Sequence, residues 1–268
     1  MNASATRKRL GVFKFASCDG CQLSLLCCED ELLAVADKIE IAFFLEATSH
    51  IQDGPFDLAL VEGSISTAED IKRIQRIRKQ SRVLVTIGAC ATSGGIQSLR
   101  NWADHDEFVR AVYASPEYIE SLSTSTAVAD HVAVDFELRG CPINQHQLLE
   151  VILAFNAGRK PNIPSHSVCM ECKRRGTVCI AVTKNQPCVG PVTHAGCGAI
   201  CPAYDRACYG CFGPAEQANC PPLSQHYLHS GTSPKQMVHA LRNMNSVARV
   251  FQIESDRIES STHDDTKQ

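Results

Sequence analysis

An α/β fold is what the sequence predicts: a doubly wound parallel sheet domain followed by a small, irregular, cysteine-rich domain. Three observations predict it. Apolar strand-like runs alternate with helical stretches as far as residue 158. That periodicity fades after the linker-like GRKPNIP at 158–164. Eight of the fifteen cysteines then crowd into residues 169–211.

The elements follow in order. RLGVFKFA (9–16) reads as a buried strand, the loop SCDGC follows it, and a single helix is expected over 22–37. IEIAFFL (39–45) and FDLALV (56–61) are strand-like, the second ending in the turn EGS. Residues 68–79 form a charged amphipathic helix, and RVLVTI (82–87) is a strand running into GACATSGG. Residues 131–138 are expected to be extended up to GCP, and 145–156 helical. Strands alternating with helices imply parallel pairing, hence a flavodoxin-like sheet over 1–158. Residues 159–268 form the second domain. Cys, Gly and Pro punctuate it to Pro222, a short helix closes it near 234–243, and a polar tail from Glu254 is expected to be mobile. So irregular a segment buries little core, and inorganic clusters are expected to serve as one, which makes it an Fe–S domain.

Composition narrows the function. The chain of 268 residues is 44% apolar, enough for a core, and its net charge of −3 points to neither nucleic acid nor an anionic membrane. An odd cysteine count argues against a framework of disulfides alone. MNASATRKRL is not followed by an apolar leader core, and RKR runs directly into a core strand, so neither a secretory nor a twin-arginine signal is expected. No apolar run is long enough to span a bilayer. A cytoplasmic location follows as the default, and there clustered cysteines are metal ligands more often than disulfides.

Three cysteine sites each follow a strand: Cys18 and Cys21 in SCDGC, Cys90 in GAC, and Cys141 in RGCP. Loops beyond the carboxyl ends of parallel strands meet at one edge, so four distant thiolates converge. Four thiolates are the complement of a [4Fe–4S] cube. Gly88, Gly94, Gly95 and Gly140 let the backbone approach inorganic sulfide. A lone CxxC would also fit a redox dithiol or half a zinc site, but neither uses Cys90 and Cys141.

The later cysteines divide by order into two sets of four: Cys169, Cys172, Cys179 and Cys188, then Cys197, Cys201, Cys208 and Cys211. Recurrent CxxC pairs flanked by Gly or Pro suit clusters better than a zinc ribbon, whose two knuckles stand farther apart. The pairing stays open, because ferredoxin-type folds exchange a cysteine between clusters. His166, three residues before Cys169, is a candidate ligand beside the plainer reading of a solvated linker histidine. Cys28 falls on the stripe Leu25, Cys28, Leu32, so packing explains it; Cys27 is read as structural too, and Cys220 as a bystander. Lys173, Arg174 and Arg175 are either a docking patch for an acidic partner or a solvated loop. Glu62 either hydrogen-bonds near the first set or caps the following helix.

Taken together, SCDGCQLSLL, LVEGSIS, GACATSGGI, RGCPIN and PCVGPVTHAGC through CYGCFGP resemble the small subunits of [NiFe]-hydrogenases, in particular the soluble, cytoplasmic NAD(P)-linked or sulfhydrogenase type, whose chain is called delta. The resemblance covers about residues 8 to 215. It implies that Cys18, Cys21, Cys90 and Cys141 bind a proximal cluster next to the partner's nickel. It also implies that Cys197, Cys201, Cys208 and Cys211 bind a medial cluster, and Cys169, Cys172, Cys179 and Cys188 a distal one. Periplasmic members use a histidine at the distal cluster, where Cys169 or Cys172 stands here. Many carry proline where Cys201 stands and so hold a three-iron medial cluster; Cys201 implies a full [4Fe–4S] centre. The implied activity is that of a hydrogen:NAD(P)+ oxidoreductase. Its large subunit bears the nickel–iron centre, and Fe–S/flavin subunits reduce NAD(P)+. This chain shows no nickel-binding cysteine pair near its C-terminus, which places the reaction on the partner. The rival readings are a complex I-like quinone-linked subunit, which needs one cluster, and a zinc-stabilised scaffold.

Overall fold

Five strands, β1 (Lys8–Lys14), β2 (Ile39–Phe44), β3 (Phe56–Glu62), β4 (Ser81–Ile87) and β5 (Phe136–Leu138), pair in parallel in the order β2-β1-β3-β4-β5. This is the flavodoxin-like order, with its switch point between β1 and β3. The structure is a computed structural model describing residues 7–265, with side chains through Thr262; the first six residues, where the leader was sought, lie outside the described residues. Val12 stands opposite Phe44 on one side and Leu60 on the other, and Leu60 opposite Val85.

Period-2 alternation sorts the strand side chains onto two faces. Leu10, Val12, Leu58, Leu60, Val85 and Ile87 pack under Leu25 of α1 (Gly20–Leu26), Val35 of α2 (Glu29–Ala36) and Leu148, Val151 and Ile152 further on. Phe13, Phe15, Ala59, Val61 and Leu84 pack on the opposite face, under Ile74 and Ile77 of α3 (Ala68–Gln80). Each such fully buried aliphatic side chain contributes roughly 1.5–3 kcal/mol. A capping box fixes the start of α3: the Asp70 N–H donates to Thr67 Oγ1 (3.1 Å), and the Thr67 N–H to Asp70 Oδ2 (3.0 Å).

Between β4 and β5 lie α4 (Gly88–Ser93) and α5 (His105–Val112); α6 (Gln145–Asn156) follows β5. The cysteine-rich segment contains α7 (Val168–Arg175), α8 (Ile180–Lys184) and α9 (Ile200–Ala203). The chain then closes with α10 (Cys220–His229), α11 (Pro234–Leu241) and α12 (Arg249–Asp265).

Three expectations need correction. The helix expected over 22–37 is two helices, broken at Cys27–Cys28. The N–H groups of Cys27 and Cys28 close the first on Leu23 O and Leu25 O, and Glu29 turns to φ +41° before an acidic first turn opens the second. Cys28 is nonetheless buried as the stripe requires, its thiol donating to Ser24 O. Next, the extended stretch over 131–138 is a strand only from Phe136. Last, the tail expected to be mobile from Glu254 lies within α12. Glu254, Ser255 and Ile258 are buried, and Arg242 holds Asp256 and Glu259 at 2.7 and 2.6 Å. The inward stripe Phe251, Glu254, Ser255, Ile258 hides its periodicity because two members are polar, satisfied by Ser224, Arg257 and Arg242.

The C-terminal helices give the cysteine-rich segment an organic core of its own: Val189, Val192, Tyr227, Met237, Leu241, Phe251 and Ile258. Polar contacts join this core to the sheet unit. Ser93 Oγ donates to Asn245 Oδ1 (2.5 Å), Trp102 Nε1 to Asp256 Oδ1 (3.2 Å), Asn144 Nδ2 to Gly196 O (2.9 Å) and Arg139 Nη1 to Pro214 O (2.5 Å). The Arg242 guanidinium lies 4.6 Å from the Trp102 ring centroid. Among the described residues, no helix is long and apolar enough to cross a membrane.

Candidate metal centres

The carboxyl ends of β1, β4 and β5 lead directly into the segments bearing the four cysteines: Cys18 in the loop before α1, Cys21 in the first turn of α1, Cys90 on α4, and Cys141 in the loop after β5. Cross-loop hydrogen bonds hold those loops together: the Ala89 N–H donates to Gly140 O (2.7 Å), and Gln97 Nε2 to Ala16 O (2.8 Å). The four thiols influence one another electrostatically. Burial pushes the Cys21 thiol far above the ordinary thiol range, and Glu62, Cys90 and Cys141 push the same way. Burial first, then Cys141 and Cys18, push Cys90 up to about 11 despite a Gln97 hydrogen bond, and Cys141 rises from burial and then Cys18. The free thiols of Cys21, Cys90 and Cys141 are therefore protonated at neutral pH, and metal loading must displace those protons.

Two glycines show how tightly the backbone wraps this set. Gly88 adopts φ +86° and packs against Cys21 Sγ, while a Cβ on Gly95 (φ +66°) would sit 2.5 Å from Cys90 Sγ. Neither position takes an L side chain without moving a thiol. Glu62, at the end of β3, is 2% exposed. Its Oε1 accepts the Cys21 N–H (3.0 Å), and its Oε2 accepts both the Gln22 N–H (3.3 Å) and Nε2 (2.9 Å). Of the two sequence readings, the structure selects the bond beside the first set; α3 is capped by Thr67 instead.

Cys169 and Cys172 lie on α7, Cys179 caps α8, and Cys188 follows in the next loop. Cys169 is raised by burial, then Cys188 and Cys179; Cys172 is pushed to about 11 by burial, then Cys169, Cys188, Cys179 and Cys197. The second four also influence one another: Cys197 feels Cys201, Cys211 feels Cys197 and Cys201, and Cys208 feels Cys188 of the other set and then Cys211, each after a larger burial effect. Contacts also run between sets. Cys211 feels Cys141, Cys201 feels Cys188, and the Cys208 N–H donates to Cys188 Sγ at 3.3 Å. These influences link the first set to the second and the second to the third; Cys18, Cys141 and Cys179 are exposed.

Among the described residues, no three His, Cys, Asp or Glu side chains are gathered tightly enough to hold a single metal ion. The donor set suits a larger group: thiols in fours, glycine-lined, are the partners of iron–sulfur cubes. The His166 ring lies against Ser167 O (3.3 Å), with no cysteine among its partners in the described residues. Cys220 is buried beside Glu254, apart from the twelve.

Sequence reasoning missed Tyr227. From α10 its hydroxyl accepts the Cys188 N–H (3.0 Å) and donates to Cys188 O (3.3 Å), with the ring fully buried. No motif marks it; only the fold brings it there. Tyr227→Phe leaves that N–H buried and unpaired, a cost of about 1–3 kcal/mol. Anaerobic challenge of the assembled complex with an iron chelator should release the iron held near Cys188 roughly tenfold faster, the rate equivalent of ~1.4 kcal/mol.

Residues 18–155 match the family described as NADH ubiquinone oxidoreductase, 20 Kd subunit. The chain is 38% identical to the Pyrococcus furiosus sulfhydrogenase 2 subunit delta over 213 residues, 80% of this chain and 89% of that one. It is 30% identical to a chain of the F420-non-reducing hydrogenase of Methanocaldococcus jannaschii over 240 residues, 78% and 83% of the two chains. Among solved structures, an NAD+-reducing [NiFe]-hydrogenase in the H2-reduced state superposes with a TM-score of 0.55 at 26% identity, covering 59% of this chain and 96% of that one. A parallel sheet with cysteines at its carboxyl edge, a family match through it, and these hydrogenase relatives agree, and the chain belongs to the family of [NiFe]-hydrogenase small subunits.

Proposed function

We propose that this chain relays electrons between the nickel–iron site of a hydrogenase large subunit and an NAD(P)-linked Fe–S/flavin module, through three [4Fe–4S] clusters. The observation that carries the reading is that the cysteine sets adjoin: the Cys208 N–H donates to Cys188 Sγ at 3.3 Å, and Cys141 acts electrostatically on Cys211. When bound, the clusters supply one-electron redox centres. Cys18, Cys21, Cys90 and Cys141 hold the proximal one, Cys197, Cys201, Cys208 and Cys211 the medial, and Cys169, Cys172, Cys179 and Cys188 the distal. Residues 1–158 form the sheet domain and 159–268 the Fe–S domain. The names of two similar proteins, both NAD-reducing hydrogenases, support the NAD(P) linkage.

The chain's own residues do the placing. Glu62 clasps the first turn of α1 so that Cys21 faces Cys90 and Cys141. Exposed Leu23, Leu45 and Ile96 follow from the same sheet edge and offer an apolar seat to the large subunit. At the other end, Lys173, Arg174 and Arg175 precede exposed Val178 and Cys179, a basic and apolar surface suited to an acidic redox partner.

One anaerobic assay of iron, sulfide and zinc with EPR decides among the readings. Three cubes give about twelve irons per chain, a single-cluster quinone-linked subunit about four, and a scaffold gives zinc. Cys201→Pro tests the medial assignment. With one ligand removed, that centre should become a three-iron form visible by EPR when oxidised. An unchanged spectrum refutes the assignment.

A further inference from the structure

Glu171 lies on α7 between Cys169 and Cys172, yet it serves the other set. Its Oε1 accepts the Gly196 N–H at 3.0 Å, and its Oε2 stands 3.8 Å from Cys197 Sγ. No lysine or arginine pairs with it among the described residues; Arg175, on the same helix, gives its guanidinium to Gly198 O instead. The Glu171 side chain is half-buried, so solvent screens it only in part.

We infer that Glu171 is a positioning residue that fixes the Gly196–Cys197 turn and holds down the reduction potential of the centre bound through Cys197. This rests on the reading of Cys197 as a medial ligand. Once ligated, Cys197 has no proton to give, so Oε2 faces a sulfur that already carries negative charge. The Gly196 N–H keeps the carboxylate from swinging away. Net charge and hydrogen bonds around the sulfurs are what set cluster potentials, and an added negative charge opposes reduction. An electron is thereby discouraged from resting midway along the series. The device joins two sets distant in sequence: α7 supplies the acid, and the loop before α9 supplies the sulfur.

The test is an EPR-monitored redox titration of the anaerobically purified complex. Glu171→Gln keeps the side-chain length and an oxygen for the Gly196 N–H, removes the charge, and can turn an N–H toward Cys197 Sγ. The reduced-to-oxidised ratio of the medial centre at a fixed potential should rise about tenfold, a ~59 mV upward shift for one electron. Proximal and distal midpoints should stay put, with iron near the wild-type count. A medial midpoint that does not move in a fully loaded variant overturns the inference. If the Gln variant loses iron, Glu171→Asp is measured in its place. It keeps the acid but retracts it from the sulfur, so a smaller upward shift supports the inference and an unmoved midpoint overturns it. A wild-type complex with too little iron for three centres would overturn the three-cluster reading and this inference with it, a result visible before any variant is made.

Discussion

Cys21→Ala is expected to strip the first cysteine set of its iron while leaving the other eight cysteines loaded. Cys21 is the most deeply buried thiol of its four, at 6% exposure, and it opens α1 with its N–H held by Glu62. Removing it takes away the one buried anchor of the set and leaves exposed Cys18 and Cys141 with half-buried Cys90, too open a remainder to retain a three-iron form. Iron in the purified complex should fall from about twelve to about eight per chain, with the EPR signals of the remaining centres retained. H2-dependent reduction of a dye accepting electrons at the far end should fall by more than the 10–100-fold that loss of an outer-shell partner costs. Cys27→Ala is the control. That thiol is exposed at the break between α1 and α2, outside the twelve, and its loss should leave iron and activity unchanged. Equal iron in wild type and Cys21→Ala would remove Cys21 from the ligand set.

Glu62→Ala is expected to be the most damaging change that touches no cysteine. The carboxylate accepts three hydrogen bonds in a buried position where water does not replace it. Stranding each buried donor costs about 1–3 kcal/mol, so a loss of roughly 3–5 kcal/mol is expected. Against a typical total of about 5–15 kcal/mol this is enough to lower the yield of folded chain. Glu62→Gln should cost less, because its oxygen still serves the Cys21 N–H. It still costs something, because its amide then meets two Gln22 donors head-on. The measure is the urea midpoint of far-UV circular dichroism under anaerobic conditions, with the order wild type, Gln, Ala. Equal midpoints for wild type and Ala would show that the clasp carries no stability.

Much of this was legible in the residues, and the exceptions have physical causes. The first four strands read correctly because both faces of a covered parallel sheet are apolar, giving short Val-, Ile- and Phe-rich runs. That the segments carrying Cys18, Cys21, Cys90 and Cys141 leave one edge of the sheet was legible because each follows a strand and the topology gathers strand ends. The break at Cys27–Cys28 was not, since no Gly or Pro marks it and a backbone turn at Glu29 makes it. The packing of the C-terminal tail was hidden because its buried face includes Glu254 and Ser255, whose burial depends on partners elsewhere in the chain. Glu171 and Tyr227 were missed for the same reason. Local pattern reports which face a residue sits on, but not which distant backbone it reaches.

The contacts through Asn245, Trp102 and Arg242 have one more consequence. Electron tunnelling weakens steeply as a gap widens, so a hinge between the two halves would make the current flicker with every swing. Asn245 receives a hydrogen bond from Ser93, three residues past Cys90, and gives its own amide to Gly210 O and Cys211 O, tying the segment after Cys90 to the Cys211 backbone. α12, tied to Trp102 and Arg242, braces the same junction. On the proposed relay, the last helix is the splint that would keep the spacing between centres constant.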